Sequence, residues 1–236
     1  MTIDVFLTPL NIVSLPDVAI AIDVLRATSS MVVALAEGAE SIIPVSNLEE
    51  ARKLKAENPN LLLAGERESL KPPDFDLGNS PYDFKGIHGK EIIMTTSNGT
   101  KLIELLKESK QLYIASFLNV KSVANEVATA GYDKVGIGCA GNRESVALED
   151  VLCAGALVEN LISVTEYADL TDAAKLALDE YITHGKDLER VLSTIASHGK
   201  TLMRKGFVKD VVLCAKINMF SVVPAYIKGK IVRNDT

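Results

Sequence analysis

The sequence predicts an α/β fold, a parallel or mostly parallel sheet with helices on both faces. Two observations carry this. Short apolar runs alternate with segments of helical periodicity along most of the 236 residues, the pattern of strand-helix-strand units. Apolar residues make up 47% of the chain, enough for a full core, and with no tryptophan that core should be aliphatic. No stretch rich in Gly, Pro or Ser divides the chain and no internal repeat is evident, so a single domain over 1–236 is expected.

In order, VAIAID (Val18 to Asp23) reads as a strand and ATSSMVVALAEG after it as a helix closed by Gly38. SIIPV is a strand. NLEEARKLKAEN is a helix with Asn47 as N-cap and Glu50 placed for a capping box. NLLLAGE and EIIMTT are strands, and GTKLIELLKES the helix after the second. QLYIAS, then VKSVANEVATAG, repeats strand and helix, and KVGIGCAG is a further strand. From SVALEDVLCAGALVENLISV to about residue 217 the chain is mainly helical, so the C-terminal third should pack on the sheet. SVVPAYIKGKIV reads as a late strand or hairpin. The one long irregular segment, Glu66 to Lys90, holds Pro72, Pro73 and Pro81 and the run FDLGNSP. A loop of that length in a compact domain points to function.

Composition excludes several classes. The formal net charge is −6 and no Lys/Arg cluster offsets it locally, which argues against a nucleic-acid binder held by phosphate attraction. Cys139, Cys153 and Cys214 form no CxxC pair, so neither a disulfide framework nor a thiolate zinc site is indicated. The three histidines have no metal-site spacing. MTIDVFLTP lacks a signal-peptide core and no apolar run is long enough to span a bilayer. A cytoplasmic protein without a membrane partner is expected.

In open α/β sheets ligands bind beyond the carboxyl ends of the strands. After VAIAI come Asp23, Arg26, Thr28 and Ser29; after LLLAG, Glu66 and Arg67; after EIIM, the run Thr95-Thr96-Ser97-Asn98-Gly99-Thr100. After KVGIG come Cys139, Gly141, Asn142 and Arg143, and Glu149-Asp150 opens the next helix. Each has a plain structural alternative. Asp23 suits a helix cap, Glu66-Arg67 an exposed ion pair, the threonines a strand end, Ser97 or Asn98 a cap, and Glu149-Asp150 acids answering a helix dipole. What favours a site is their shared edge. A helix N-terminus with hydroxyls and an amide seats an anion, carboxylates hold a hard divalent cation such as Mg²⁺, and arginines clamp phosphate or carboxylate oxygens. That set suits phosphate-ester chemistry.

Other motifs fail. GIGCAG matches G-x-G-x-x-G after a strand, but the following acids come too early for a dinucleotide fingerprint. DVLRAT has Leu25 where a D-x-D-x-T phosphatase loop needs its second aspartate. Cys139 to Arg143 is too short to wrap a phosphate, and no Walker A lysine motif is present.

Five motifs in order, DVLRATSS, AGER, FDLGNSP, TTSNGT and CAG followed by ALED, resemble the 2-phosphosulfolactate phosphatase family from Asp4 to about Lys230, the late DVVLCAKINMFSVVP included. The resemblance implies a three-layer α/β/α fold with a mostly parallel or mixed sheet. It also implies a Mg²⁺-dependent hydrolase converting 2-phospho-3-sulfolactate to 3-sulfolactate, a step of coenzyme M biosynthesis. Its motifs fall on Asp23, Arg26, Thr28, Glu66, Arg67, Asn79, Ser80, Thr96, Asn98, Gly99, Thr100, Cys139, Gly141, Glu149 and Asp150. On this reading Asp23, Glu149 and Asp150 are catalytic, with Cys139 as a candidate thiolate against its alternative as a small core residue. Asp23, Glu66 and Asp150 are the metal candidates. Arg26, Thr28, Arg67, Asn79, Ser80, Thr96, Asn98, Gly99, Thr100 and Gly141 bind a small anionic phosphorylated substrate. A homodimer is compatible with the sequence. The alternatives are a nucleotide-binding enzyme using the Gly136 run and a non-catalytic anion-binding module.

Overall fold

Ten strands form one sheet in a computed structural model that describes residues 1–234. The last two residues of the expected 1–236 domain lie outside the described residues. The strands are β1 (Thr2–Phe6), β2 (Val18–Ile22), β3 (Ser41–Pro44), β4 (Leu62–Gly65), β5 (Glu91–Thr95), β6 (Gln111–Ala115), β7 (Lys134–Cys139), β8 (Asp169–Leu170), β9 (Pro224–Ile227) and β10 (Lys230–Arg233). The helices are α1 (Ala27–Ala36), α2 (Leu48–Glu57), α3 (Gly99–Leu106), α4 (Val120–Ala130), α5 (Leu148–Val164), α6 (Asp172–His184), α7 (Leu188–Arg190), α8 (Ser197–Arg204) and α9 (Val208–Cys214), with a π-helical turn Val191–Ile195 between α7 and α8.

The strand order is β4-β5-β3-β10-β9-β6-β2-β7-β1-β8. Pairing is parallel within β4-β5-β3 and within β6-β2-β7-β1-β8. The β9–β10 hairpin joins the blocks through antiparallel pairs to β6 and β3. Three successive reversals leave the two parallel blocks running in opposite directions, so the sheet is mixed. The late hairpin read in SVVPAYIKGKIV is therefore the centre of the sheet. β1 was not foreseen; its alternation of buried Ile3 and Val5 with more exposed Thr2 and Asp4 is nonetheless a strand signature.

The expectation of no internal repeat is corrected. The order β2-α1-β3-α2-β4 recurs as β5-α3-β6-α4-β7, and each unit's first strand pairs with the other unit's second and third strands. The sequences have diverged except for one peptide, AGERES after β4 and AGNRES after β7.

Period-two alternation divides the core. In β2, Ile20 and Ile22 join the cluster with Val123 of α4, Leu157 of α5 and Ala177 of α6. Ala19 and Ala21 join Met31 and Leu35 of α1 and Leu102 and Leu106 of α3 on the opposite face. Helices thus cover both faces, giving the three-layer α/β/α fold. Each fully buried isoleucine contributes about 1.5–3 kcal/mol relative to exposure. α2 starts as expected: the Asn47 side chain accepts the Glu50 N–H at 2.8 Å. The reciprocal half of the capping box is not formed, because the Glu50 carboxylate meets the Asn47 side-chain amide instead. The Glu66 to Lys90 segment is anchored by buried Phe75, Phe84 and Ile87. Among the described residues no helix is long and apolar enough to cross a membrane.

Candidate active site

The loops after β2 and β5 are built alike. In the first, the Asp23 N–H donates to Thr28 Oγ1 at 3.0 Å, and that hydroxyl donates to the Asp23 carbonyl at 2.9 Å. In the second, the Thr96 N–H donates to Thr100 Oγ1 at 3.1 Å, and that hydroxyl donates to the Thr96 carbonyl at 3.2 Å. The Thr100 N–H in turn reaches Thr96 Oγ1 at 3.1 Å. Each threonine locks the turn that starts its helix, so the hydroxyls of Thr28 and Thr100 both accept from and donate to the backbone, while that of Thr96 accepts from it. Thr96 holds the place that Asp23 holds in the other loop. The two loops touch: a Cβ on Gly99 would fall 2.6 Å from Ala27 Cβ and 2.8 Å from Asp23 Oδ2, so only glycine permits this approach.

A buried carboxylate clamps each loop. Glu66 accepts the Ser97 N–H at 2.8 Å and the Ser69 N–H at 2.7 Å. Asp150 accepts the Val24 N–H at 2.8 Å and the Gly141 N–H at 3.0 Å. Ser97 and Val24 are the residues after Thr96 and Asp23, so the clamps hold corresponding positions. Both oxygens of each acid are engaged by backbone, and Asp150 does not line the cavity these loops surround.

That cavity has a volume of about 710 Å³, and its carboxylates are Asp23, Glu66, Glu68 and Glu149. Asp23 is 8% exposed and Glu149 2%. Burial, offset by the Ala27 N–H and reinforced by Glu66, pushes the Asp23 carboxyl up to about 7. Burial, with Asp23 beside it, pushes Glu149 up to about 7. Asp150 is raised too, by burial and then by Asp23 and Glu149, against the pull of its two N–H donors. Two buried side-chain acceptors on the cavity lack any protein partner, Glu149 Oε2 and Asn79 Oδ1. Ser97 and Asn98 complete this wall, and the Asn98 side chain makes no cap bond to α3.

A metal fits this donor set in one way. Among the described residues no group of three or more His, Cys, Asp or Glu converges as a cage. The neighbouring Asp23 and Glu149, one with an orphaned oxygen, offer what suffices for a hard cation that keeps waters and takes further ligands from phosphate oxygens.

The cations are disposed differently from what sequence order suggests. Arg26 is buried: it donates to Asp210 at 2.6 Å and to the Ser69 carbonyl at 2.7 Å, with its guanidinium 4.0 Å from the Phe207 ring centroid. Asp210 also accepts from the Ser80 hydroxyl at 2.8 Å, so Ser80 belongs to this network. Arg67 folds back onto Thr95, reaching its hydroxyl at 2.9 Å, and onto the Glu66 carbonyl. It does not line the cavity. Cys139 is fully buried with its thiol pushed well up by burial. The candidate thiolate is corrected to a protonated core residue without access to the cavity. Gly141 does not line the cavity either; its φ of 65° shapes the turn out of β7.

The Gly136 run has a packing explanation. A Cβ on Gly136 would strike Pro16 and Phe6, and one on Gly138 would press on Leu102 and Leu106. These glycines make room for side chains over β7.

Sequence reasoning missed the part of the cavity wall formed by α8. Ser197, His198 and Thr201 of α8 line the cavity, as does Lys205 just past the end of the helix. The His198 imidazole, pushed below its usual range by burial and pulled back by Glu66, is neutral at pH 7. Nothing in SHGKTLMRK marks these residues as more than an amphipathic helix. Arg143 also lines the cavity.

The model of a family described as 2-phosphosulpholactate phosphatase matches residues 6–229. A protein of Pseudothermotoga lettingae named "Probable 2-phosphosulfolactate phosphatase" is 40% identical over 232 residues, 98% of each chain. Proteins of the same name from Symbiobacterium thermophilum and Deinococcus radiodurans are each 35% identical, covering 91% of this chain and 93% and 89% of theirs.

Proposed function

The chain belongs to the 2-phosphosulpholactate phosphatase family, and on that premise we propose that it hydrolyses 2-phospho-3-sulfolactate to 3-sulfolactate and phosphate, with Mg²⁺ as cofactor, as a step toward coenzyme M. The observation that carries the reading is the buried pair Asp23 and Glu149, both pushed to about 7 and one with an oxygen lacking any partner, on the wall of a cavity large enough for a three-carbon ester. Two carboxylates forced together out of water are costly unless a cation or a proton joins them. Asp23 and Glu149 would hold the Mg²⁺, which when bound supplies Lewis-acid polarisation of the phosphoryl oxygens.

The chain's own groups do the rest. Asp23, at the meeting of α1 and α3, orients the attacking water and takes its proton. Asn79 and Asn98 hydrogen-bond the ester and its phosphoryl group. Glu66 and Asp150 keep the two loops at fixed separation, and α8 limits solvent above the site. The new P–O bond forms from water as the bond between phosphorus and the C2 oxygen breaks, and the departing C2 oxygen takes up a proton that balances the one water gave to Asp23.

The test is phosphate release from a panel of phosphorylated 2-hydroxy acids, with Mg²⁺ and with chelator, for the wild type and Asp23→Asn. Release that requires Mg²⁺ and is lost in Asp23→Asn is expected. No release from any ester overturns the phosphatase reading; undiminished release with chelator overturns the metal.

A further inference from the structure

Three Arg and Lys side chains line the cavity, Arg26, Arg143 and Lys205. Arg26 is committed to Asp210 and Ser69. Lys205 is held by the Glu68 carbonyl. Arg143 is exposed and, among the described residues, is the one of the three with no protein acceptor.

Its freedom has a structural cause. The similar peptides AGERES and AGNRES each make a two-residue turn closed by a reciprocal pair of backbone hydrogen bonds, but one residue out of step. Arg67 is the base of its turn, bonded to Leu70 at 3.0 Å in both directions, with Glu68 and Ser69 at the tip. In the other turn Asn142 and Ser145 form the base, bonded at 2.8 and 3.1 Å, and Arg143 and Glu144 are the tip, with φ of 50° and 67°. From the base, Arg67 can fold back along the strand ends onto Thr95. From the tip, Arg143 cannot follow that course, and the residue corresponding to Thr95 is Ile22, which has no side-chain acceptor.

We propose that Arg143 receives the sulfonate of the substrate and so determines its specificity, an inference that rests on the phosphatase reading above. The ester's phosphoryl group has to lie at the buried Asp23 and Glu149. The phosphoryl group is carried on C2, so the carboxylate on C1 and the sulfonate on C3 both extend from it into the rest of the cavity, whose lining includes the tip arginine. A sulfonate is ionised at every working pH and is a weak acceptor, so a two-pronged guanidinium that needs no desolvation beforehand suits it better than a buried group.

The experiment compares 2-phospho-3-sulfolactate with 2-phospholactate, which lacks the sulfonate, in the Mg²⁺-loaded wild type, Arg143→Asn and Arg143→Lys. Asparagine tolerates positive φ, so the turn survives loss of the guanidinium, and unchanged thermal unfolding confirms it. For the sulfonated ester, Arg143→Asn should raise KM roughly 10- to 100-fold, the size of one charge-assisted pair, with kcat within about threefold. Arg143→Lys should fall between. For 2-phospholactate the KM change should stay under about threefold, so the wild-type preference collapses. Equal KM losses on both esters, an unchanged KM, or a kcat loss on both overturns the proposal. Wild-type turnover of 2-phospholactate without preference for the sulfonated ester overturns it while leaving the phosphatase reading intact. Release from neither ester overturns that reading, and this proposal with it.

Discussion

The carboxylate of Asp150 receives the Val24 N–H at 2.8 Å across 126 positions of sequence, tying the start of α5 to the loop that carries Asp23. Its second oxygen holds Gly141 at 3.0 Å. Asp150→Asn keeps the shape but turns a donor toward an N–H. It should destabilise the protein by about 1–3 kcal/mol in urea titration and lower kcat by displacing Asp23. A variant with wild-type stability and weakened Mg²⁺ affinity would make Asp150 a ligand rather than a clamp.

The threonine run and the asparagine beside it should separate cleanly. Thr100→Val removes bonds to both backbone groups of Thr96 at a buried position, and a loss of about 1–3 kcal/mol is expected. Asn98→Ala removes a cavity side chain that caps nothing, so stability should stay within about 0.5 kcal/mol while KM for the ester rises. The reverse assignment of effects would return Thr100 to the ligand set.

These contrasts show what the sequence could reveal. Strand ends were legible because apolar runs stop at polar residues, which placed Asp23, Glu66 and Asn98, and Glu149 was legible as an acid opening a helix; all four line the cavity. Direction was not legible. Thr28, Thr96, Thr100, Arg26, Arg67 and Asp150 carry the same donors and acceptors whether they face a ligand or the backbone, and only the folded loops decide. The α/β class followed from alternation, but the opposed blocks did not, because their polarity is set by a hairpin some hundred residues later in the chain. His198 and Lys205 were hidden because a helix that lines a cavity obeys the same periodicity as any surface helix.

Cys139→Ala should retain wild-type kcat and KM. The thiol is fully buried, so alkylating reagents should modify it only on unfolding, and the lost volume should cost about 1 kcal/mol. Inactivation of the folded enzyme by alkylation at this residue would restore the thiolate.

Stability should fall as pH rises in the metal-free protein. Asp23 and Glu149 titrate near 7 in the fold, from ordinary values of 3.8 and 4.5. Between those limits the unfolded chain has released protons that the native state still holds, so each unit of pH favours unfolding. Their contribution is complete below about pH 4 and lost as pH passes about 7. His198, held below 6.5, acts in the opposite sense at acidic pH, and Glu149→Gln isolates the carboxylate effect. With chelator, the urea midpoint should be higher at pH 5 than at pH 8, and flatter in Glu149→Gln. A higher midpoint at pH 8 would contradict the raised values.

The hairpin at the centre of the sheet has a consequence for biosynthesis. β3 and β6 are made early, yet the strands that join them, β9 and β10, span residues 224–233. Until residues 224–233 have been made, two half-sheets wait with an unpaired strand edge each. Closure of the sheet therefore comes after synthesis of all the other strands. A chain stalled before residue 224 would present both edges to its neighbours and be open to edge-to-edge association.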